Sequence, residues 1–471
     1  MLCHCVKYVS FAFKFPKMSS KMPTDDNQNL IPKSSVVFCL IGGVFVACLF
    51  SVMSRFVIVL EGGTRQVATE ASPPASASKA VGVMGDLEQW PGMDYHGMRD
   101  WPITVRDKPI IRPDIKGEVL AALHQAMIAK VQGKNEKAHK LFLHALALDP
   151  NHADALNEYG EFLEEEDILR ADHLYTCALL NNASHMRALI NLKRTSVIVE
   201  EIDQGILTRI DNKRNDFLQV PANSRALQRA QQEMYYQHIY HTTAIEGNTL
   251  SLEQMRSIME TGMAVTGKSI LEHNEIIGMS SALQYINNTL MGKFGDISVR
   301  DILEIHRRVL GHVDPLEAGQ IRTTQVFVGS HVPPAPSDVE ILLEDFVDWL
   351  KSEEANSMHP VEFAALAHYK LVYIHPFLDG NGRTSRLLMN LILMRAGYPP
   401  IIVKVTQRHE YYEAIKKGNV GDIRPFIRFI AQCTEDMLDA LLWLTTESSS
   451  LALPELIGNK NERIVENIPV Y

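Results

Sequence analysis

Cysteine is scarce in this chain of 471 residues: there are six, at Cys3, Cys5, Cys39, Cys48, Cys177 and Cys433, with no CxxC pair. That spacing offers neither a disulfide framework nor a cysteine-based zinc site, and it leaves the redox compartment open. A long basic run is missing too. The formal net charge of −10 argues against a general nucleic-acid binder. What is present, 46% apolar and 22% charged residues, is the composition of a globular protein. The length exceeds one ordinary core, so two or three folded units are expected.

Long uncharged runs are also missing, with one exception. Residues 34–54, SSVVFCLIGGVFVACLFSVMS, contain 21 residues and no charge. A helix of that length spans about 30 Å at about 1.5 Å per residue, the thickness of a bilayer core. Lys14, Lys17, Lys21 and Lys33 precede it and only Arg55 and Arg65 follow closely, so a single span would keep the N-terminus cytosolic. Two sequons, at Asn182 and Asn287, fit a lumenal C-terminal part. We therefore expect a cytosolic tail (1–33), a transmembrane helix (34–54) and a Pro/Ser/Ala-rich flexible linker (55–116).

From about 117 the chain becomes rich in alanine and leucine. Leu123 and Leu156, Ala138 and Ala171, Leu141 and Leu174, Phe142 and Tyr175, Ala145 and Ala178, and His152 and His185 recur at a separation of 33 residues (156 − 123 and so on). Small alanines let paired helices approach, and the aromatic fills the gap between pairs. The pattern resembles two tetratricopeptide repeats over 117–186, a number too small for a free-standing solenoid. A linker helix (187–225) should connect them to a mostly helical domain (226–440), followed by a C-terminal tail (441–471). Within that domain, TTQVFVGSHVPPAP (Thr323 to Pro336) reads as a short β-hairpin with an exposed edge.

The densest chemistry lies in HPFLDGNGRTSR, His375 to Arg386. Pro376 ends the preceding apolar helix at His375. Gly380, Asn381 and Gly382 make a tight turn into a second helix, and amides at a helix N-terminus form an anion site. Arg383 and Arg386, three residues apart, reach the same anion. Asp379 suits Mg²⁺, which takes one or two carboxylates beside phosphate oxygens. His375 is placed to accept a proton from an attacking hydroxyl. Singly, each residue has a commonplace structural explanation; the ordered combination is an inventory for attack on a phosphate. We take it as the only phosphate motif of the chain, and His368, seven residues upstream, as a packing histidine.

HPF-x-D-G-N-G-R-x-x-R is the signature that this stretch shares, at every fixed position, with Fic-domain proteins. The resemblance implies transfer of AMP from ATP to Ser, Thr or Tyr hydroxyls of another protein. It makes His375 the general base and Asp379 the holder of Mg²⁺ (or Mn²⁺). Gly380, Asn381, Gly382, Arg383, Thr384, Ser385 and Arg386 would hold the phosphates. Upstream, TTAIEG (Thr242 to Gly247) resembles the family's inhibitory helix, in which Glu246 would occupy Arg386 and also serve removal of AMP. The stretch VFVGSH is similar to the family's flap, placing Val328, Gly329, Ser330 and His331 over the nucleotide. RHEYYEAIKKGN resembles the adenine side, with Tyr411, Tyr412 and Asn419.

The layout resembles the animal, membrane-anchored, tetratricopeptide-containing class of that family. The expected fold is all-α: two helical hairpins, a linker helix and a helical Fic domain with a small β-hairpin flap. The resemblance further implies a homodimer through the Fic domain in the endoplasmic reticulum membrane, with its catalytic part in the lumen; the sequon at Asn287 is the expected glycosylation site there. It implies action on the resident heat-shock chaperone and a reverse activity that removes AMP. Transfer of another phosphate-linked group, or a chaperone-docking adaptor whose site turns over slowly, remain the alternatives.

Overall fold

The computed structural model describes residues 113–445, except 294, 295 and 330. The expected cytosolic tail, transmembrane span and most of the linker and C-terminal tail lie outside the described residues, as does Ser330. Among the described residues no helix is long and apolar enough to cross a membrane.

Two helical hairpins open this part: α1 (Pro113–Val131) with α2 (Asn135–Leu148), and α3 (Ala153–Leu163) with α4 (Ile168–Asn181). The recurring residues take equivalent places. Ala138, Ala145, Ala171 and Ala178 are fully buried, as are Phe142 and Tyr175, which fill the space the small alanines leave. His152 and His185 each cap the helix that follows, accepting the amides of Ala155 and Ala188 on Nδ1. At Gly160 a side chain would lie 2.5 Å from the Tyr175 ring, so glycine permits the close α3–α4 approach.

The linker helix α5 (Met186–Phe217) has 32 residues and is about 48 Å long at about 1.5 Å per residue. Its first half meets the hairpins: Arg194 pairs with Glu164 at 2.6 Å, and the buried Thr195 hydroxyl donates to Asp172 at 2.7 Å. Its second half meets the last helix, where Asp203 accepts from Arg428 and Glu435 from Arg209 and Lys213. Partly exposed pairs of this kind set alignment more than stability.

The remaining helices are α6 (Arg225–Ile245), α7 (Leu252–Thr261), α8 (Ile270–Tyr285, continued by a π-turn to Leu290), α9 (Val299–Leu310), α10 (Val339–Lys351), α11 (Glu353–Ser357), α12 (Pro360–Ile374), α13 (Asn381–Arg395), α14 (Arg408–Asn419) and α15 (Arg424–Thr445). Ser251, Ser269 and Ser298 start α7, α8 and α9 with capping boxes. Every residue of α13 from Arg383 to Met394 is buried, which makes it the central helix. Helix α12 packs along it, and α6, α9 and α15 surround the pair. The fold is helical as expected, and α15 runs five residues past the boundary placed at 440.

The flap is smaller than the expected β-hairpin. Among the described residues the flap contains no strand pair, only one antiparallel bridge in which Val328 and His331 exchange amide–carbonyl bonds of 3.0 and 2.9 Å. Pro333, Pro334 and Pro336 have no N–H to extend a ladder. Its carbonyls are taken by side chains instead: Gln325 donates to Val326 and Pro333, and Arg322 to Thr324 and Pro334.

Candidate active site

The site forms where one helix ends and another begins. Helix α12 stops at His375, whose N–H closes the last turn onto Leu371 and whose φ of 51° and ψ of 60° are left-handed. It is the single non-glycine residue with positive φ among the described residues. Such a conformation costs about 1–2 kcal/mol and persists only where surroundings enforce it. Here Arg322, 2% exposed, enforces it: its Nε donates to the His375 carbonyl at 2.7 Å and its backbone N–H to Pro376. The same guanidinium holds both feet of the flap, Thr324 and Pro334. His331 then rests on Tyr373, its Nε2 3.0 Å from that carbonyl.

The His375 Nδ1 lies 3.2 Å from the Val372 carbonyl, which assigns the ring proton to Nδ1 and leaves Nε2 as the basic nitrogen. Burial lowers its pKa to about 4, with Arg322 and His331 acting in the same direction against Val372 and Glu246. The imidazole is therefore neutral at physiological pH, the form a general base requires.

The loop to α13 is braced from beneath. His306, fully buried, stacks flat on Phe377 at 3.6 Å and bonds the Asp379 carbonyl through Nε2 at 2.9 Å. The Gly319 N–H donates to its Nδ1, which fixes Nε2 as the donor. A side chain at Gly380, where φ is 76°, would lie 3.2 Å from this ring. Asn381 ties the loop to itself, accepting from the Phe377 amide and donating to its carbonyl. Its side chain is thus a brace and not a phosphate ligand. Thr384 and Ser385 are likewise buried and the Thr384 amide is spent on the Gly380 carbonyl, so the phosphate contacts expected of them fall to the amides that precede them.

The first amides of α13 are left without helical acceptors, since the first helical bond runs from Thr384 to Gly380. Asp379, exposed at the rim, accepts from the Gly380 amide and from Arg383 Nη2 at 2.9 Å. Desolvation raises its pKa, but Arg383 and the Gly380 amide outweigh this and hold it below the usual carboxylate range. Arg383 is 2% exposed, with Glu275 3.6 Å from Nη1, and among the described residues its Nε and Nη1 have no hydrogen-bond partner.

A carboxylate already sits in this anion site. Glu246 caps the C-terminus of α6 and its Oε1 accepts from Arg386 Nη2 at 2.6 Å. A side chain at Gly382 would lie 2.5 Å from that oxygen, so the carboxylate stands directly over the α13 N-terminus. Arg386 is 3% exposed and also donates to the Thr242 hydroxyl and carbonyl and to Tyr411. Burial pulls its pKa down, yet Glu246 and the tyrosines outweigh burial and keep it charged.

On the other side, Tyr412 is half-buried and places its OH 3.5 Å from Glu246 Oε2, while Asn419 is exposed and accepts from Tyr369. Tyr411 differs from the expectation. It is 1% exposed, with its OH between Arg386 and His368 Nε2 at 3.3 and 2.9 Å, so it offers no free face to a base and acts through Arg386. His368 is a buried packing histidine, as expected. Asn287 is buried in the π-turn and its amide has no partner among the described residues; a glycan there requires the side chain to turn outward. Asn182 is exposed.

The chain also contains a second phosphate-loop pattern, contrary to expectation: Gly262 to Ser269, GMAVTGKS, satisfies GxxxxGK[ST]. It joins two helices instead of a strand and a helix, and Lys268 Nζ is engaged by the Thr249 carbonyl and hydroxyl. It lacks the context of a nucleotide loop. Two supporting residues, Arg322 and His306, escaped the sequence reading because nothing in their neighbourhoods marks them; each acts on a loop at least 53 residues away.

A base on a strained backbone, an anion-binding helix start and an opposing carboxylate describe a phosphate-transfer site, and the similarities agree. Residues 296–393 match the Fic/DOC family. The chain is 58% identical over 334 residues to "Protein adenylyltransferase Fic" of Aedes aegypti, covering 70% of this chain and 67% of that one. It is 56% identical to the protein of that name from Nematostella vectensis, covering 71% and 79%. The solved structure of Fic-1 from C. elegans is 45% identical, covers 70% of this chain and 99% of its own, and superposes with a TM-score of 0.65. The chain belongs to the Fic/DOC family. Within it, the chain is an animal-type protein adenylyltransferase, a nucleotidyltransferase with ATP as co-substrate.

Proposed function

We propose that the protein transfers AMP to a hydroxyl of the heat-shock chaperone of the endoplasmic reticulum, that Glu246 restrains this transfer, and that the same site removes AMP again. The observation that carries the regulation is the Glu246–Arg386 contact of 2.6 Å over Gly382, where a carboxylate fills the place of a phosphate. With Arg386 engaged, a γ-phosphate has no partner there, and the nucleotide lies out of line with an attacking hydroxyl.

In the forward direction, the target hydroxyl gives its proton to His375 Nε2 while its oxygen bonds the α-phosphorus. The bond from that phosphorus to the β-bridging oxygen breaks, and pyrophosphate leaves. The α13 amides, Arg383 and Arg386 meet the phosphate charge. The flap meets an extended target segment through main-chain groups outside the Val328–His331 pair, which bond each other, and Tyr412 and Asn419 receive the adenine. In the reverse direction Glu246 orients a water toward the phosphorus of the modified side chain.

Among the described residues no group of three or more His, Cys, Asp or Glu is arranged to hold a metal ion. The fit to Mg²⁺ is nonetheless reasonable, because Asp379 is an exposed carboxylate beside the phosphate site, and Mg²⁺ commonly takes one carboxylate with phosphate oxygens and water. Bound there, it would neutralise α- and β-phosphate charge. Membrane anchoring through 34–54 and a lumenal catalytic part belong to the same proposal, supported by the uncharged run and the lysines before it; homodimerisation joins it on the family resemblance alone.

The test uses α-labelled ATP, Mg²⁺ and purified chaperone. Glu246→Gly should label the chaperone strongly, and adding His375→Ala should abolish the label. Wild type should strip label from modified chaperone, which Glu246→Gly cannot do. Label that survived the loss of His375 would refute the assigned base.

A further inference from the structure

The inhibitory glutamate is held from a second side, by Arg408, which opens the RHEYYEAIKKGN stretch but has been given no role so far. Arg408, the first residue of α14, donates through Nε to the carbonyl of Ile245 at 2.7 Å. That carbonyl belongs to the last residue of α6, immediately before Glu246. A guanidinium at this point satisfies a terminal carbonyl and sits at the negative end of the helix dipole.

The same guanidinium lies 5.2 Å from the centre of the Tyr412 ring, one helical turn further along α14. The Tyr412 OH in turn is 3.5 Å from Glu246 Oε2. The contacts therefore close a ring: Ile245 carbonyl, Arg408, Tyr412, Glu246 carboxylate. Just upstream the Val405 amide donates to His241 Nδ1 at 3.2 Å, so the segment entering α14 follows the last turn of α6.

We propose that Arg408 is the positioning residue for the inhibitory carboxylate: it fixes the end of α6 and, through Tyr412, the side chain of Glu246, while touching none of the phosphate-binding atoms. The inference rests on the reading that Glu246 inhibits. It adds that inhibition requires a clamp on the helix end as well as the ion pair with Arg386. With Arg408 gone, Glu246 keeps its arginine partner but loses the backbone anchor that holds it over Gly382. The C-terminal turn of α6, whose amides at Glu246, Gly247 and Asn248 bond Thr243 and Ala244 carbonyls, should then fray.

The experiment measures AMP transfer to the chaperone by the full chain carrying Arg408→Gln, alone and combined with Glu246→Gly. Alone, Arg408→Gln should raise transfer by roughly tenfold over wild type, the weight of one hydrogen bond to a charged donor. In the Glu246→Gly background it should change kcat by less than about twofold, because nothing remains to be positioned. A gain cannot arise from misfolding. Arg408→Lys keeps the charge but loses the planar donor and should give a smaller gain, and it serves if the glutamine variant is unstable. In both variants hydrogen exchange at 246–248 should quicken.

Two results would overturn the inference: no gain from either Arg408 variant while Glu246→Gly alone gains, or equal losses with and without Glu246. The latter would make Arg408 a nucleotide contact. If Glu246→Gly itself brought no gain, the inhibitory reading would fall first.

Discussion

Two helix ends face each other across the nucleotide site, and they are made differently. The N-terminus of α13 is built locally: His375, Asp379, Gly380, Arg383 and Arg386 lie within twelve residues, and the peptide geometry brings them together. The C-terminus of α6 reaches the site from 140 positions away, and it depends on Arg386, Tyr412, Arg408 and Val405 from three other segments to stay there. On the proposed function, the contrast separates chemistry from control. A contiguous loop gives rigidity to the reacting groups, whereas a tertiary contact between distant helix ends can be weakened without disturbing them.

The sharpest way to break the local end is His375→Ala. It should lower AMP transfer by about 10²–10⁴-fold, with thermal unfolding little changed because alanine keeps the same Cβ at this left-handed position and removes a single side-chain hydrogen bond, to Val372. Transfer that persisted would move the base elsewhere.

Acidity should strain both ends together. Burial lowers the pKa values of His238, His241, His306 and His375 from 6.5 to about 4, with nearby cations adding to the effect. His238 and His241 lie on α6, and His306 and His375 brace the α13 loop. A depressed pKa means that the folded protein binds fewer protons than the unfolded chain. These histidines thus contribute stability that is complete above pH 6.5 and is lost as pH falls toward 4. Tm should decline with increasing slope over that window. A flat Tm between pH 6.5 and 5 would contradict their buried, neutral placement.

Arg322→Gln tests the brace beneath the local end. It leaves the carbonyls of His375, Thr324 and Pro334 without their donor, at about 2–4 kcal/mol, which corresponds to a Tm fall of about 5–10 °C. Transfer in the Glu246→Gly background should fall with it, since the base and flap share that anchor. A stable, fully active variant would show that the loop holds its shape unaided.

The smallest effect belongs far from either end. Gly160→Ala drives a methyl into the Tyr175 ring and should cost about 1–3 kcal/mol in the α3–α4 hairpin, leaving transfer to a small hydroxyl-bearing peptide unchanged. A change in that rate would couple the hairpins to the chemistry.

How much of this was legible follows the same division. The α13 end could be read from sequence because its groups are contiguous and their order is chemically improbable. The 33-residue recurrence showed the hairpins, since buried alanines and an aromatic at fixed positions leave a periodic trace. Glu246 could be read only through a resemblance, six residues being too few to argue from. Arg322, His306 and Arg408 were invisible, because each acts through a backbone carbonyl or loop distant in sequence. The GMAVTGKS segment shows the opposite failure: a pattern complete in sequence whose lysine is committed elsewhere in the fold. Tyr411 was placed in the right region with the wrong duty, since sequence could not say which of two adjacent tyrosines turns inward.

The central claim is that Glu246 takes the place of a phosphate at Arg386. Its most direct test is the ratio of ATP to ADP dissociation constants, measured by calorimetry on the full chain with and without Glu246→Gly. Wild type should bind the two nucleotides about equally, the γ-phosphate finding its partner taken. Glu246→Gly should prefer ATP by about tenfold, the weight of one charged hydrogen bond. An identical ratio in both proteins would contradict the account.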